Sequence, residues 1–381
     1  MYCKGCTNNC LLTINSFDHE RKLVSGNKCD RIVKPASFIS DPRELNIYAF
    51  KHHYLAQFKA VKDRRGKIGL PFQLNFMEQL PFWHTFFSTL GFEVVVSPPS
   101  TRQTYLDGQS TIPSDTVCYP AKLIHGHIQY LLEEGVQTIF YPCSSYNIDE
   151  QKGDNHFNCP VVAYYPEVLK NNIPSLNAEG VTFIKDYLSL SDRTFLPKRL
   201  YEVLGKPYGI PNKEIREACK RGYEAHDTYL KAIREQGEVI IENAREKKWP
   251  IIVLAGRPYH LDSEVNHGID QLLLQCGCAI ISEDTVAYKM KKEGRKVLNQ
   301  WPYHARLYDA ARYIISQKDI NLIQLVSFGC GLDAVTSDEI RDILHDSEKI
   351  YTQIKIDEIT NLGAVRIRIR SLLAALEEGN R

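Results

Sequence analysis

Apolar and polar positions along this chain fall into alternating short strands and amphipathic helices. Residues 68–70 read as a short strand, 80–90 as an apolar helix closed by Gly91, and 92–96 as a strand with the β-branched run Val94-Val95-Val96. After a loop, Leu123, Ile124, His127, Ile128, Leu131 and Leu132 form one helical stripe, which Gly135 ends. Residues 138–141 and 161–164 read as buried strands. Residues 185–247 read as helical. There Leu230, Ile233, Gly237, Ile240, Ile241 and Ala244 keep a helical period through a charged segment, as a surface helix joining two domains would. The alternation then restarts, with strands at 251–255, 278–281, 322–328 and 350–356 and helices at 265–274, 303–315, 338–344 and 365–376.

Strands alternating with helices predict an α/β fold: two doubly wound, Rossmann-like domains with mostly parallel sheets. The first 65 residues break the pattern. Cysteine-bearing turns flank a short hairpin, and a polar, basic connector follows it. The expected organisation is therefore a small Cys-rich N-terminal metal-binding segment with its connector (1–65), a first α/β domain (66–190), a helical connector (191–248) and a second α/β domain (249–381). The two α/β domains would enclose a cleft.

Composition narrows the function classes. The 381 residues are 43% hydrophobic and 24% charged, which fits a globular chain and neither a disordered nor a fibrous one. With 47 basic and 46 acidic residues the net charge is +1, which argues against a nucleic-acid binder built on a basic surface. The aromatic residues show no evenly spaced stacking array either. No apolar run is long enough to span a bilayer, and the first residues carry no charged-then-apolar leader, so a cytoplasmic location is expected.

The eleven cysteines are the departure from an ordinary α/β chain. Their odd number and the length of the chain disfavour an extracellular disulfide framework. Cys3, Cys6, Cys10 and Cys29, spaced C-x2-C-x3-C-x18-C, supply the full soft-ligand set of a tetrahedral site. The spacing does not choose between structural zinc and an iron–sulfur cluster, and either would supply folding energy to a segment with little core. Cys118 precedes the strongest helix, while Cys143 and Cys330 follow strands. Carboxyl ends of parallel strands and the helix N-termini beyond them are where open α/β sheets hold ligands. A site built from all three would lie in the interdomain cleft, at helix N-termini that favour thiolate. Cys219, Cys276 and Cys278 read as packing residues, and Cys159, at a predicted strand start, is undecided.

Other groups carry less. Arg257 and His260, after the first strand of the second domain, are candidates to meet an anionic substrate. His127 lies on an apolar stripe and reads as a core histidine. Lys51-His52-His53 reads as a solvated face.

Several stretches resemble the iron–sulfur proteins related to 2-hydroxyacyl-CoA dehydratases and benzoyl-CoA reductases, and more narrowly the cluster-binding part of acyl-CoA dehydratase activase-related proteins. They include Pro81-Phe82-Trp83-His84, Gly91-Phe92-Glu93-Val94-Val95, Val117-Cys118-Tyr119-Pro120-Ala121-Lys122, Tyr141-Pro142-Cys143 and Asn158-Cys159-Pro160. Gly256-Arg257-Pro258-Tyr259-His260 and Gly329-Cys330-Gly331-Leu332-Asp333 extend the likeness into the second half. The resemblance implies a 4Fe-4S cluster held by Cys118, Cys143 and Cys330 with one iron open, or a double-cubane form. It also implies a separate ATP-hydrolysing activator that delivers a low-potential electron, and an acyl-CoA or other small-molecule substrate for reductive or dehydrating chemistry. Homo- or hetero-oligomers are compatible with it. No G-x4-G-K-[ST] nucleotide loop is present in the chain. The rival expectation is a non-catalytic partner or scaffold carrying only structural zinc. Thiol–disulfide chemistry ranks last, since no C-x2-C pair sits at a strand–helix junction.

Overall fold

A computed structural model describes residues 2–3, 10–17, 21–25, 41–60, 64–294, 298–327, 329–358 and 362–379. Near the N-terminus, β1 (Thr13–Phe17) and β2 (Arg21–Ser25) pair as an antiparallel hairpin. Cys3, Cys10 and Leu12 form a small apolar cluster of their own, and the Cys3 N–H donates to the Cys10 carbonyl at 2.8 Å. Cys6 and Cys29 lie outside the described residues.

The connector docks mainly onto the second α/β domain, while Phe58 and Lys59 at its end reach His84 of the first. Its helix α1 (Ile47–Leu55) starts at Asn46, whose side chain caps Tyr48 N and also donates to Asp270. The Ile280 N–H donates to Leu45 O at 2.7 Å, adding one rung to that domain's sheet edge. Lys51 is buried in an ion pair with Asp284 at 2.7 Å, so Lys51 is not part of a solvated face.

The first domain contains β3 (Lys67–Leu70), α2 (Phe76–Thr89), β4 (Glu93–Val96), α3 (Arg102–Gly108), α4 (Tyr119–Glu133), β5 (Thr138–Phe140), α5 (Pro160–Asn172) and β6 (Thr182–Ile184). Its sheet runs β4-β3-β5-β6, all parallel. Phe82, Trp83, Phe86 and Phe87 of α2 are buried within the core, and Gly91 ends the helix turn at φ +84°. Residues 161–164, expected as a strand, form the first turn of α5. Val162, Ala163, Tyr165, Pro166 and Leu169 are buried at helical spacing, and Pro160 sits where proline suits a helix start. The fourth strand is instead the three-residue edge strand β6.

A bridge follows: α6 (Leu196–Leu200), a π-helical turn, and the 36-residue α7 (Asn212–Lys247), about 54 Å long. The expected helical stretch thus begins later and in pieces. Tyr223 on α7 packs edge-on to Phe82 at 4.8 Å, while Gly237 lies against Thr285 of the second domain. One helix therefore serves both cores.

The second domain contains β7 (Ile251–Ala255), α8 (Ser263–Asn266), α9 (Ile269–Gln275), β8 (Ala279–Ile281), α10 (Pro302–Ile315), β9 (Ile320–Ser327), α11 (Gly331–Leu344), β10 (Thr352–Ile356) and α12 (Leu362–Gly379). Its parallel sheet runs β10-β9-β7-β8. Each domain thus orders its own strands second, first, third, fourth, and the order reverses between its first and third strands. Open α/β sheets bind ligands at the carboxyl ends beside that reversal. The two domains are tied together there. Tyr119 donates to Glu264 at 2.8 Å, Ser100 N to Asp262 at 3.1 Å, and Arg306 pairs with Glu78 at 2.6 Å. Among the described residues no helix is long and apolar enough to cross a membrane.

Candidate functional site

Three cysteines from three chain segments occupy helix N-cap positions: Cys118 before α4, Cys159 before α5 and Cys330 before α11. The sequence dictates each cap. Tyr119-Pro120 and Pro160 put proline in the first turn of α4 and α5, and Gly329, at φ +72°, turns the chain from β9 into α11. All three are half-buried, and Cys159 and Cys330 both add to the rise of the Cys118 thiol.

Burial dominates that ionisation. It pushes the Cys118 thiol up to about 12, with Cys159 adding to the rise and the Ala121 N–H and Arg257 opposing it. Burial also raises Cys159, whose sulfur accepts from Val162 N at 3.4 Å. The expectation that these helix N-termini favour thiolate therefore fails for Cys118 and Cys159, where desolvation outweighs the N-terminal amides. Such thiols give up their protons when a metal takes them as ligands.

Cys143 is fully buried and follows β5, as expected. Burial and Glu167 push its thiol up to about 11, while Lys185 opposes the shift and the Tyr187 hydroxyl hydrogen-bonds to it. Cys118, Cys143 and Cys159 all act on the buried Tyr141, and Cys143 also neighbours Glu167, Lys185 and Tyr187. Reasoning from sequence left Cys159 undecided because the helix it caps was read as a strand.

Arg257 and His260 occupy the carboxyl end of β7, where the protein already engages most of their polar atoms. Both are buried. Arg257 makes a two-pronged ion pair with Asp333, with Nη2 at 2.7 Å from Oδ2, and also donates to Ser327 Oγ at 3.0 Å. Its Nη1 lies 3.6 Å from Cys330 Sγ, so the guanidinium is a fixed positive charge beside that sulfur. The Arg257 N–H donates to His260 Nδ1 at 3.1 Å. His260 in turn fits only because residue 256 is glycine: a Cβ there would stand 2.4 Å from Nδ1. Asp333, in the first turn of α11, also accepts from Ser327 N at 2.7 Å, locking the Cys330 loop to β9.

Next to Cys159 lies a small cavity with about 10 Å³ for the centre of a water-sized sphere, room for one water. Phe157, Tyr259, Trp301, Arg257 and His304 are among its walls. His304 is buried with neither ring nitrogen hydrogen-bonded, and Arg257 Nε has no partner. His304 carried no signal in the sequence. His125 and His127 are accounted for by the core: Thr111 and Tyr165 hold the first, Ser97 and Ser100 the second.

Among the described residues no three His, Cys, Asp or Glu side chains stand close enough to share one metal ion.

The molecule is thus a two-domain α/β protein whose thiols meet at the joined carboxyl edges of two sheets. A family model described as the CoA enzyme activase uncharacterised domain matches residues 67–286, more than half the chain, and the chain belongs to this family. A comparison with curated proteins found no match.

Proposed function

We propose that this chain is an iron–sulfur protein of the 2-hydroxyacyl-CoA dehydratase-like superfamily, acting in low-potential electron transfer for a CoA enzyme. Cys118, Cys159 and Cys330 would hold a 4Fe-4S cluster at the interdomain edge, with Cys143 the alternative to Cys159. The carrying observation is the meeting of three helix-capping thiols beside Arg257. When bound, the cluster would supply one-electron redox chemistry. The chain's own residues would do the rest. Arg257 places positive charge at the Cys330 sulfur and Asp333 holds Arg257 there, while the aromatic walls exclude water. The family's description as an activase supports a role in preparing a CoA enzyme for its reaction, with a separate ATP-hydrolysing protein as the electron source. Cys3, Cys6, Cys10 and Cys29 would bind a second centre, zinc or 4Fe-4S.

Anaerobic reconstitution of the full chain tests this reading. The expected product is brown and carries at least about four irons per chain. Each of Cys118→Ser, Cys159→Ser and Cys330→Ser should lose the interdomain cluster's iron, whereas Cys143→Ser should keep it. Loss in Cys143→Ser with retention in Cys159→Ser would restore Cys143 to the ligand set. A colourless protein containing zinc alone would overturn the proposal in favour of a zinc-held scaffold.

A further inference from the structure

Along α7, Arg216, Cys219, Lys220, Tyr223 and Glu224 recur at the three- and four-residue spacing that puts them on one face. That face forms one wall of a groove of about 530 Å³, and the turn that starts α6, with Arg193, Pro197 and Lys198, forms the other. Small-molecule sites typically measure about 300–1,000 Å³, whereas the cavities beside Cys159 and Tyr119 each hold one water.

The walls of the groove are fixed before anything enters it. Asp192 Oδ1 accepts from Thr194 N at 2.8 Å and Phe195 N at 2.9 Å, which sets the turn. Arg193 ties that turn to α7. Its guanidinium lies 4.5 Å from the centre of the Tyr223 ring and makes a two-pronged pair with Asp227, at 2.9 and 2.8 Å. Tyr223 also donates to Leu190 O at 3.0 Å.

The lining divides by chemistry. Cys219 and Tyr223, 2% and 5% exposed, give it an apolar floor together with Pro197. Four cations line it against one carboxylate, Glu224. Arg193 is engaged by Asp227, and Lys220 by Glu224 at 3.9 Å, an exposed pair of little strength. Lys198 and Arg216 are exposed and form no salt bridge among the described residues, and Lys198 attracts Asp192 only through space. A concave site with such an excess of one charge concentrates ions of the other sign.

We propose that this groove binds a small organic anion. The occupant carries at least two negative charges at one end, as a phosphate ester or a dicarboxylate does, and an apolar body that covers Pro197, Cys219 and Tyr223. Lys198 and Arg216 meet the charged end, and the floor selects against bare inorganic ions. The site is built from other residues than the thiols and does not rest on the proposed cluster.

The test titrates the full-length chain with 8-anilinonaphthalene-1-sulfonate, an anion with an apolar aromatic body, read by its fluorescence. Wild type should show one saturable site. The double variant Lys198→Glu with Arg216→Glu should bind about tenfold more weakly or worse. Lys231→Glu, which changes an exposed lysine of α7 outside the groove, should bind as wild type does. Phenyl phosphate and phthalate are then used as competitors. Displacement by the first in preference identifies a phosphate-ester site, displacement by the second a dicarboxylate site, and either supports the proposal. It is overturned if wild type shows no saturable site, if the double variant binds like wild type, or if neither competitor displaces the probe. Inorganic phosphate competing as well as phenyl phosphate overturns it too, because the apolar floor would then contribute nothing. Should circular dichroism show the double variant misfolded, Lys198→Ala with Arg216→Ala supplies the same comparison with a smaller change of charge.

Discussion

The two α/β domains share a strand order and differ in how they treat buried polar groups at their carboxyl edges. On α4 of the first domain two buried neutral imidazoles stand out, beside the buried ion pair of Lys122 with Glu358. His127 bridges the hydroxyls of Ser97 and Ser100 at 2.8 Å each, and His125 sits between Thr111 and Tyr165. In the second domain the imidazoles of His260 and His304 are joined by more ions: Arg257 with Asp333, Arg306 with Glu78 and Glu150 of the first domain, and Asp284 with Lys51 of the connector. A neutral group inside a protein is endangered by acid, which charges it. A paired ion is endangered by loss of its partner, which strands a charge. The same architecture therefore has two distinct weaknesses, and each can be struck separately.

The largest effect is expected in the second domain. Asp333→Ala leaves the Arg257 guanidinium buried without its carboxylate and also removes the acceptor of Ser327 N. Breaking such a pair costs about 3–5 kcal/mol. Urea denaturation should show that loss, and the damage should extend to the Cys330 loop, seen as faster alkylation of that thiol. An effect below about 1 kcal/mol would mean that the pair is solvated and that the contrast between the domains is false.

Acid strikes the first domain next. Burial lowers His125 and His127 to about 4 in the folded state, against an ordinary value of 6.5. Between those values the unfolded chain binds more protons than the folded one. Stability therefore falls as pH drops through this window and is fully present above it. Each histidine contributes about 3 kcal/mol to that fall. His127→Gln, which can still hydrogen-bond to both serines, should remove about half of the pair's pH dependence, read as urea midpoint against pH. An unchanged slope would show that His127 is already protonated in the folded state or reached by water.

Legibility from sequence followed the same physical lines. Residues 251–255 were readable as a strand because burial on both faces leaves no polar alternative, and Val94-Val95-Val96 because of its β-branched run, although only Val94 is fully buried. The run Val161-Val162-Ala163-Tyr164 was not, because four consecutive apolar residues fit either period, and only the eight that follow show the helix. That single ambiguity hid Cys159, since a cysteine ahead of a strand says little and one capping a helix says more. Cys118 was legible as a helix-start residue, whereas Cys330 was legible only as following a strand, because the helix that starts at Gly331 was expected at 338–344. The connector's docking on β8 and the solitary imidazole of His304 depend on contacts far apart in the chain, and no local pattern encodes them. The grouping of Cys118 and Cys330 with Cys159, and the neighbours of Cys143, lie in the same class.

The smallest expected effect concerns the helix that lets two differently built domains share one core. On α7, Gly237 passes so close to the second domain that a Cβ would stand 2.6 Å from Thr285 Cβ, and Thr285 is itself fully buried. Glycine inside a helix is ordinarily a weakness, about 1 kcal/mol worse than alanine. Here helix propensity and packing oppose each other. Gly237→Ala gains the propensity and loses the close approach, which the β-branched Thr285 cannot restore by changing rotamer. Overpacking typically costs about 1–3 kcal/mol, so a net destabilisation of about 0–2 kcal/mol is expected. The paired variant Gly237→Ala with Thr285→Ser removes the methyl that crowds the new Cβ, and should recover part of the loss in a double-mutant cycle. If Gly237→Ala instead stabilises the protein by the full propensity gain, α7 does not clasp the second domain at this point. The two domains would then rely more on the hydrogen bonds and ion pairs at their carboxyl edges.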